Sequence, residues 1–277
     1  MKKVSYLILS LIGLLTAPTL AWWDVGHTLV AQIAEQHLQK STRNEVDWIL
    51  AHHPDPSVRT LSDAAVWPDR IKDPHHPFHH EDRSHWHYRN RAVGTPRKAT
   101  EDSGALLEQI PLQLALLSDK NRPLAQRAIA LCWVVHLVGD IHQPLHNATC
   151  FSEKFPTGDR GGNDYNVIVG DSPLSLHMLW DSVGGRFIEP PSAARLRSYV
   201  QWFQQRHPKS SLSPEASVLS IQTWSDEGLE IAESDIYPHL TPGEKIPNEQ
   251  LQSTLDITKR QICLAGYRLA TTLNQNL

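Results

Sequence analysis

The sequence predicts a mainly α fold: a single compact multi-helix domain with a small β-hairpin and long loops. Three observations carry this. Apolar residues recur at helical spacing in one stretch after another. The β-rich run Asn166 to Val169 stands out against them and sits among glycines. With 277 residues, 40% hydrophobic and 20% charged, the composition is that of a globular protein with a sizeable core. It excludes a collagen, a disordered tail and a multi-span membrane protein.

Residues 1–21 read as a secretory signal peptide rather than part of the fold. Lys2 and Lys3 give a positive start, an apolar run follows, and Thr19 and Ala21 are small residues at the cleavage positions. The run is too short and wrongly flanked for a membrane span, and no later stretch approaches that length. Cleavage after Ala21 makes Trp22 the new N-terminus and leaves 22–277 as the mature domain, secreted or periplasmic. The leader holds no acid, so the 26 basic residues fall to 24 against 30 acidic ones. An acidic chain of this kind does not hold nucleic acid by a broad basic surface.

In order, helices are expected over 26–38, where Leu29, Val30, Ile33 and Ala34 share a stripe, and from Thr42, where Thr42 and Glu45 form a capping-box pattern. A third is expected over 61–71, disturbed by Pro68. Residues 73–100, rich in His, Pro, Arg and Asp, read as a long loop with a short extended piece at 86–88. Helices return at 105–117 and 124–141, the latter closed by Pro144. Loop and hairpin fill 147–173, and helices over 174–183, 192–206, 213–233 and 248–273 complete the chain. Cys132, Cys150 and Cys263 would give one disulfide and one free thiol in an oxidising compartment. Asn147 with Thr149 matches a glycosylation sequon, a pattern common by chance.

Histidine is the informative count: 16 of them against 14 glycines. It is the commonest metal ligand. His136 and Asp140 are four apart on an expected helix, so their side chains share one face. His177 and Asp181 repeat the spacing, and after Pro144 ends the helix His146 swings off its axis. One such pair is ordinary on a polar surface. Two pairs within apolar helices imply two or more bound metal ions, because a buried imidazole or carboxylate without a partner costs several kcal/mol. His142 lies on another side of the helix from Asp140, and the His-rich run 75–80 reads as a solvated loop. No G-x-S-x-G, Walker or G-x-G-x-x-G motif is present.

The run His136, Asp140, Gln143-Pro144-Leu145-His146, followed by His177 and Asp181, resembles the secreted zinc-dependent single-strand nucleases of fungi, plants and bacteria, the S-one/P-one type. The likeness extends to Trp22, Gly26-His27, Trp67-Pro68-Asp69, His87-Tyr88, the Gly-Gly-Asn-x-x-Asn-Val run from Gly161 to Val167, and the C-terminal Gly266 to Ala270. It implies three zinc ions. One would take Asp69, His87, His136 and Asp140, and a second His146, His177 and Asp181. The third would take His27, a shared Asp140, and the amino nitrogen and carbonyl oxygen of Trp22.

The resemblance further implies hydrolysis of single-stranded DNA and RNA to 5′-phosphorylated products, with 3′-nucleotidase activity, by zinc-bridged hydroxide attack on phosphorus. Asp69, Lys72 and Asp140 would be catalytic, Lys72 standing where the family has a basic residue near the phosphate. Tyr88 would stack a base and Asn163 would hydrogen-bond base or sugar. Asn90 and Arg160 depart from the fungal pattern of Asp and a small apolar residue at the base. A monomer without membrane contact is expected. Two alternatives stay open here: a zinc-dependent phospholipase C, whose later metal histidines lie closer in sequence and whose last carboxylate is Glu, and a non-catalytic secreted zinc-binding protein.

Overall fold

The computed structural model describes residues 23–94, 103–187 and 191–277. The expected signal peptide, residues 1–21, and Trp22 therefore lie outside the described residues. The architecture is mainly helical. α1 (Trp23–Gln36), α2 (Lys40–Ala51) and α3 (Leu61–Arg70) are followed by the long loop, then α4 (Leu106–Ser118) and α5 (Leu124–Ile141). After a 3-10 turn at Pro144–His146 come the hairpin, α6 (Leu176–Asp181), α7 (Ala193–Arg206), α8 (Ser213–Ala216), α9 (Ile221–Ile231) and α10 (Asn248–Asn276).

α5 is central, with α3 and α4 packed on it and α1 lying between α3 and α10. It is apolar on every side, and so it is buried almost throughout from Arg127 to Ile141. Its length and composition would suit a membrane span, a property the sequence reading did not credit to it; here 78% of it is buried inside the protein. α1 and α10 meet so closely that a Cβ on Gly266 would stand 2.5 Å from Ile33 Cγ2, so only glycine fits that crossing.

The hairpin pairs β3 (Asn166–Val169) with β4 (Ser172–Ser175) antiparallel, turning at Gly170, whose φ of 64° suits glycine. It rests with α6 on a second apolar cluster containing Leu145, Tyr165, Leu176 and Trp180. An unexpected parallel pair joins β1 (Ala92–Gly94) to β2 (Thr149–Phe151). It ties the end of the long loop to the segment just after His146.

Several local expectations are corrected. The capping box belongs to α3, where Thr60 and Asp63 exchange side-chain and backbone bonds; α2 starts earlier, at Lys40, and buries Thr42. Trp86 and His87 are not extended: a 3-10 turn at Ser84–Trp86 runs into His87, which keeps helical backbone angles, and Trp86 lies edge-on to Trp133 with ring centroids 4.8 Å apart. The helix expected over 213–233 is broken after Ala216, and α9 restarts on Ser220, whose hydroxyl accepts from Thr223 N. The expected disulfide is absent: all three cysteines are free, Cys132 and Cys263 packed as small apolar groups inside α5 and α10 and Cys150 in β2. Asn147 is buried and donates to the Ile141 and Gln143 carbonyls, so the sequon presents no accessible acceptor.

Candidate metal centre

Eight of the nine candidate ligands fall on described residues, and they converge from α1, α3, the long loop, α5, the turn after it and α6. They form three groups able to hold a metal ion: His27, His136 and Asp140; Asp69, His87 and His136; and His146, His177 and Asp181. The first two share His136, and Asp140 also reaches the second, its Oδ2 lying 3.0 Å from His87 Nδ1 and 3.1 Å from His136 Nε2. His27 Nε2 is 3.3 Å from Asp140 Oδ1, and the His27 and His136 rings stack at 3.9 Å.

Backbone carbonyls set the imidazoles. His136 Nδ1 lies 2.7 Å from Ala65 O, His146 Nδ1 2.6 Å from His87 O, and His177 Nδ1 2.7 Å from Gly161 O. A carbonyl only accepts, so in each ring Nδ1 carries the proton and Nε2 turns its lone pair to the centre. Those lone pairs then face acceptors. His136 Nε2 is 2.8 Å from His87 Nδ1 and 3.7 Å from Asp69 Oδ1, and His177 Nε2 is 3.2 Å from Asp181 Oδ2. His146 Nε2 and Asp140 Oδ1 are buried and make no hydrogen bond among the described residues. Donor atoms held tetrahedrally by an ion at ~2.0–2.1 Å lie about 3.3 Å apart, and the observed separations bracket that value. Neutral imidazoles and carboxylates gathered in this way fit a zinc-like cation far better than a hydrogen-bonded core.

Titration divides the histidines by their partners: burial would lower His136 and His177, but Asp140 and Asp69 beside the first and Asp181 beside the second outweigh it and raise both. Burial, followed by the charge of Lys72, pushes His87 down to about 3, into its neutral form. Burial likewise lowers His146. Burial would raise the Asp69 carboxyl, but Lys72 and the neighbouring histidines outweigh it and hold the group well below the carboxylate range. Lys72 Nζ donates to Asp69 Oδ1 at 2.6 Å, so the lysine stands at the rim of the centre.

The residues assigned to substrate are nearer the surface. Tyr88 is half-buried next to His87, and its carbonyl accepts from Leu106 N. Asn90 N donates to Ser103 O. Asn163 Nδ2 donates to Arg160 O at 2.8 Å, and Arg160, at positive φ, pairs through two nitrogens with Asp164. His142 points away from the centre. It lies 2.7 Å from Val138 O and accepts from the buried Arg268, which Glu227 holds. The histidines of 75–80 assemble no further metal group among the described residues.

Sequence reasoning missed the groups that orient the ligands. The Ala65, His87 and Gly161 carbonyls are main-chain atoms with no signature of residue type. Gln143, which donates to Asp181, lay inside a quoted motif without a role. Asp159 was missed too: wholly buried, it accepts from Thr149, Cys150 N and Tyr237 and braces the loop that carries Gly161.

Fold and site together define a helical protein with a buried multi-histidine, multi-aspartate centre built to take metal. The chain belongs to the S1/P1 nuclease family, whose model matches residues 22–277. It is 27% identical to Endonuclease 2 of Arabidopsis thaliana over 98% of this chain and 96% of that one. It is 22% identical to Nuclease P1 of Penicillium citrinum over 92% and 97%, and 29% identical to Nuclease S1 of Aspergillus oryzae over 59% and 54%.

Proposed function

We propose that this protein is a secreted or periplasmic, monomeric zinc-dependent nuclease, released by cleavage after Ala21 as the domain 22–277. It would cut single-stranded DNA and RNA to 5′-phosphorylated products and remove phosphate from 3′-nucleotides. The observation that carries the reading is the convergence of His87 Nδ1, His136 Nε2 and the Asp69 and Asp140 carboxylates within 2.8–3.8 Å. A structural core has no use for such a set, whereas a cation does. Three zinc ions are proposed. Asp69, His87, His136 and Asp140 hold one, and His146, His177 and Asp181 another. His27 and Asp140 hold the third with the amino nitrogen and carbonyl oxygen of Trp22.

When bound, zinc supplies positive charge and activates water for attack at phosphorus. The chain's own groups do the rest. Asp69, Asp140 and Asp181 offset only half of six positive charges, so the cleft of an acidic protein attracts a phosphodiester. Lys72, held by Asp69, offers an ammonium to the phosphate at the rim. Tyr88 provides a face for one base, worth about 1–3 kcal/mol without sequence preference, and Asn90, Arg160 and Asn163 border it. A base lying on Tyr88 has left its duplex stack, which favours single strands.

Purified mature protein incubated with single-stranded DNA, matched duplex, RNA, a 3′-nucleotide and phosphatidylcholine, with and without chelator, tests this. Chelator-sensitive cleavage of the single strands and the 3′-nucleotide, faster than of duplex, is expected. Cleavage of phosphatidylcholine alone, or no hydrolysis by zinc-loaded protein, would overturn it.

A further inference from the structure

Gln143 is wholly buried and uses both ends of its amide. Nε2 donates to Asp181 Oδ1 at 2.9 Å, while Oε1 accepts from Leu145 N at 2.6 Å and so closes the 3-10 turn that carries His146. Its main chain continues the pattern: its N–H donates to Asp140 O, and its carbonyl accepts from His146 N. One residue therefore touches three candidate ligands supplied by α5, the turn and α6.

A carboxylate offers two oxygens and can rotate. With Oδ1 held by Gln143, Asp181 is committed to presenting Oδ2 beside His177 Nε2, 3.2 Å away. An amide suits this place because it donates at one end and accepts at the other, whereas a carboxylate there only accepts.

We propose that Gln143 is the positioning residue of the His146, His177 and Asp181 group: by fixing Asp181 and the His146 turn together, it sets how firmly that ion is retained. The inference rests on the zinc reading above. It holds the same ion by geometry rather than by adding a ligand.

Gln143→Glu separates the two ends of the side chain, keeping the acceptor for Leu145 N and losing the donor to Asp181. Gln143→Met, similar in volume, loses both. Each is compared with wild type by zinc per chain after equilibration against nitrilotriacetate, by the visible spectrum of the cobalt-substituted protein, and by the melting temperature of metal-stripped protein. Wild type should retain three ions and Gln143→Glu two, with about 10–100-fold weaker retention of the third and one altered cobalt band set. The new carboxylate facing Asp181 lowers the metal-free melting temperature, whereas Gln143→Met, which adds no charge, should lose the same ion. In an Asp181→Asn background Gln143→Glu should add no further loss. Both variants retaining the third ion like wild type would overturn the positioning role. So would ions lost evenly from all groups. Wild type binding no zinc would overturn the underlying reading along with it.

Discussion

His136 Nδ1 donates to the carbonyl of Ala65 across 2.7 Å, so α3 fixes the ring of a histidine that belongs to α5. Ala65 lies one helical turn before Asp69. The same helix therefore supplies a candidate ligand and the acceptor that orients its neighbour, and a shift of α3 against α5 would displace both at once. The centre is a property of helix packing as much as of residue type.

Gly139 tests how tightly that packing is drawn. A Cβ there would stand 2.5 Å from His27 Nδ1 and 2.9 Å from its Cε1, and the His27 ring cannot retreat because it stacks on His136 at 3.9 Å. Gly139→Ala should gain helix propensity of up to ~1 kcal/mol while displacing His27. Overpacking a buried site costs about 1–3 kcal/mol, so the expected result is a metal-free melting temperature no higher than that of wild type, with zinc content reduced and activity down about 10–100-fold. Elemental analysis and calorimetry on one preparation check it, and full zinc content would show that the crossing is looser than its distances.

What the sequence made legible, and what it did not, divides along physical lines. α5 is legible over 124–141 because a largely apolar stretch and a following proline leave little freedom, and the hairpin follows from a β-rich run meeting Gly170. Thr42 and Thr60 both head a Thr-x-x-acid pattern. Only the tertiary burial of Thr42 decides that the cap forms at Thr60. The break between α8 and α9 carries neither glycine nor proline, and its one local mark is Ser220 at the head of α9, a residue type frequent elsewhere in the chain. At the site, residue types at fixed spacing revealed His136, Asp140, His177 and Asp181. The carbonyls of Ala65 and Gly161 were invisible, since every residue has one.

Ligand sharing makes losses unequal. Asp140 lies within reach of His27, His87 and His136, whereas His177 serves a single group. Asp140→Asn should therefore remove more than one zinc per chain, and His177→Ala about one. Elemental analysis of the two variants beside wild type decides it; equal losses would contradict the sharing.

Asp55 predicts a pH dependence outside the centre. Burial would raise its carboxyl, but Ser57 N and Oγ on Oδ1 and Trp67 Nε1 on Oδ2 outweigh that and hold it below its ordinary value. A carboxyl depressed in the folded state adds stability that is complete above the unfolded value of ~3.9 and is lost as pH falls through the lower folded value. Asp55→Asn should destabilise metal-free protein by about 1–3 kcal/mol near neutral pH, since the amide cannot accept all three donors. The variant should also lose less stability than wild type between pH 5 and acid, on a scale of ~1 pH unit around the carboxylate range. Melting curves at matched pH check both, and parallel pH profiles would exclude Asp55 as a contributor.

The N-terminus carries the most particular expectation of this sequence. α1 begins at Trp23 and delivers His27 to Asp140, and Arg70, the residue after Asp69, bonds Asp24 at 2.8 Å. The first turn of α1 is thus fastened to the end of α3 beside the centre. We propose that cleavage after Ala21 frees the amine of Trp22, whose reference pKa of ~7.7–8.0 a nearby cation lowers toward the neutral, ligating form. Amine and carbonyl of one residue can then close a chelate on the ion shared by His27 and Asp140. Residues added before Trp22 convert that amine into an amide, a poor zinc ligand, and crowd the cleft. An uncleaved chain, or one with a tag fused directly before Trp22, should hold about two zincs and lose most activity, while a C-terminal tag should cost neither. Mass spectrometry establishes the N-terminus and elemental analysis counts the metal. An N-terminally extended chain with three zincs and full activity would rule out ligation by Trp22.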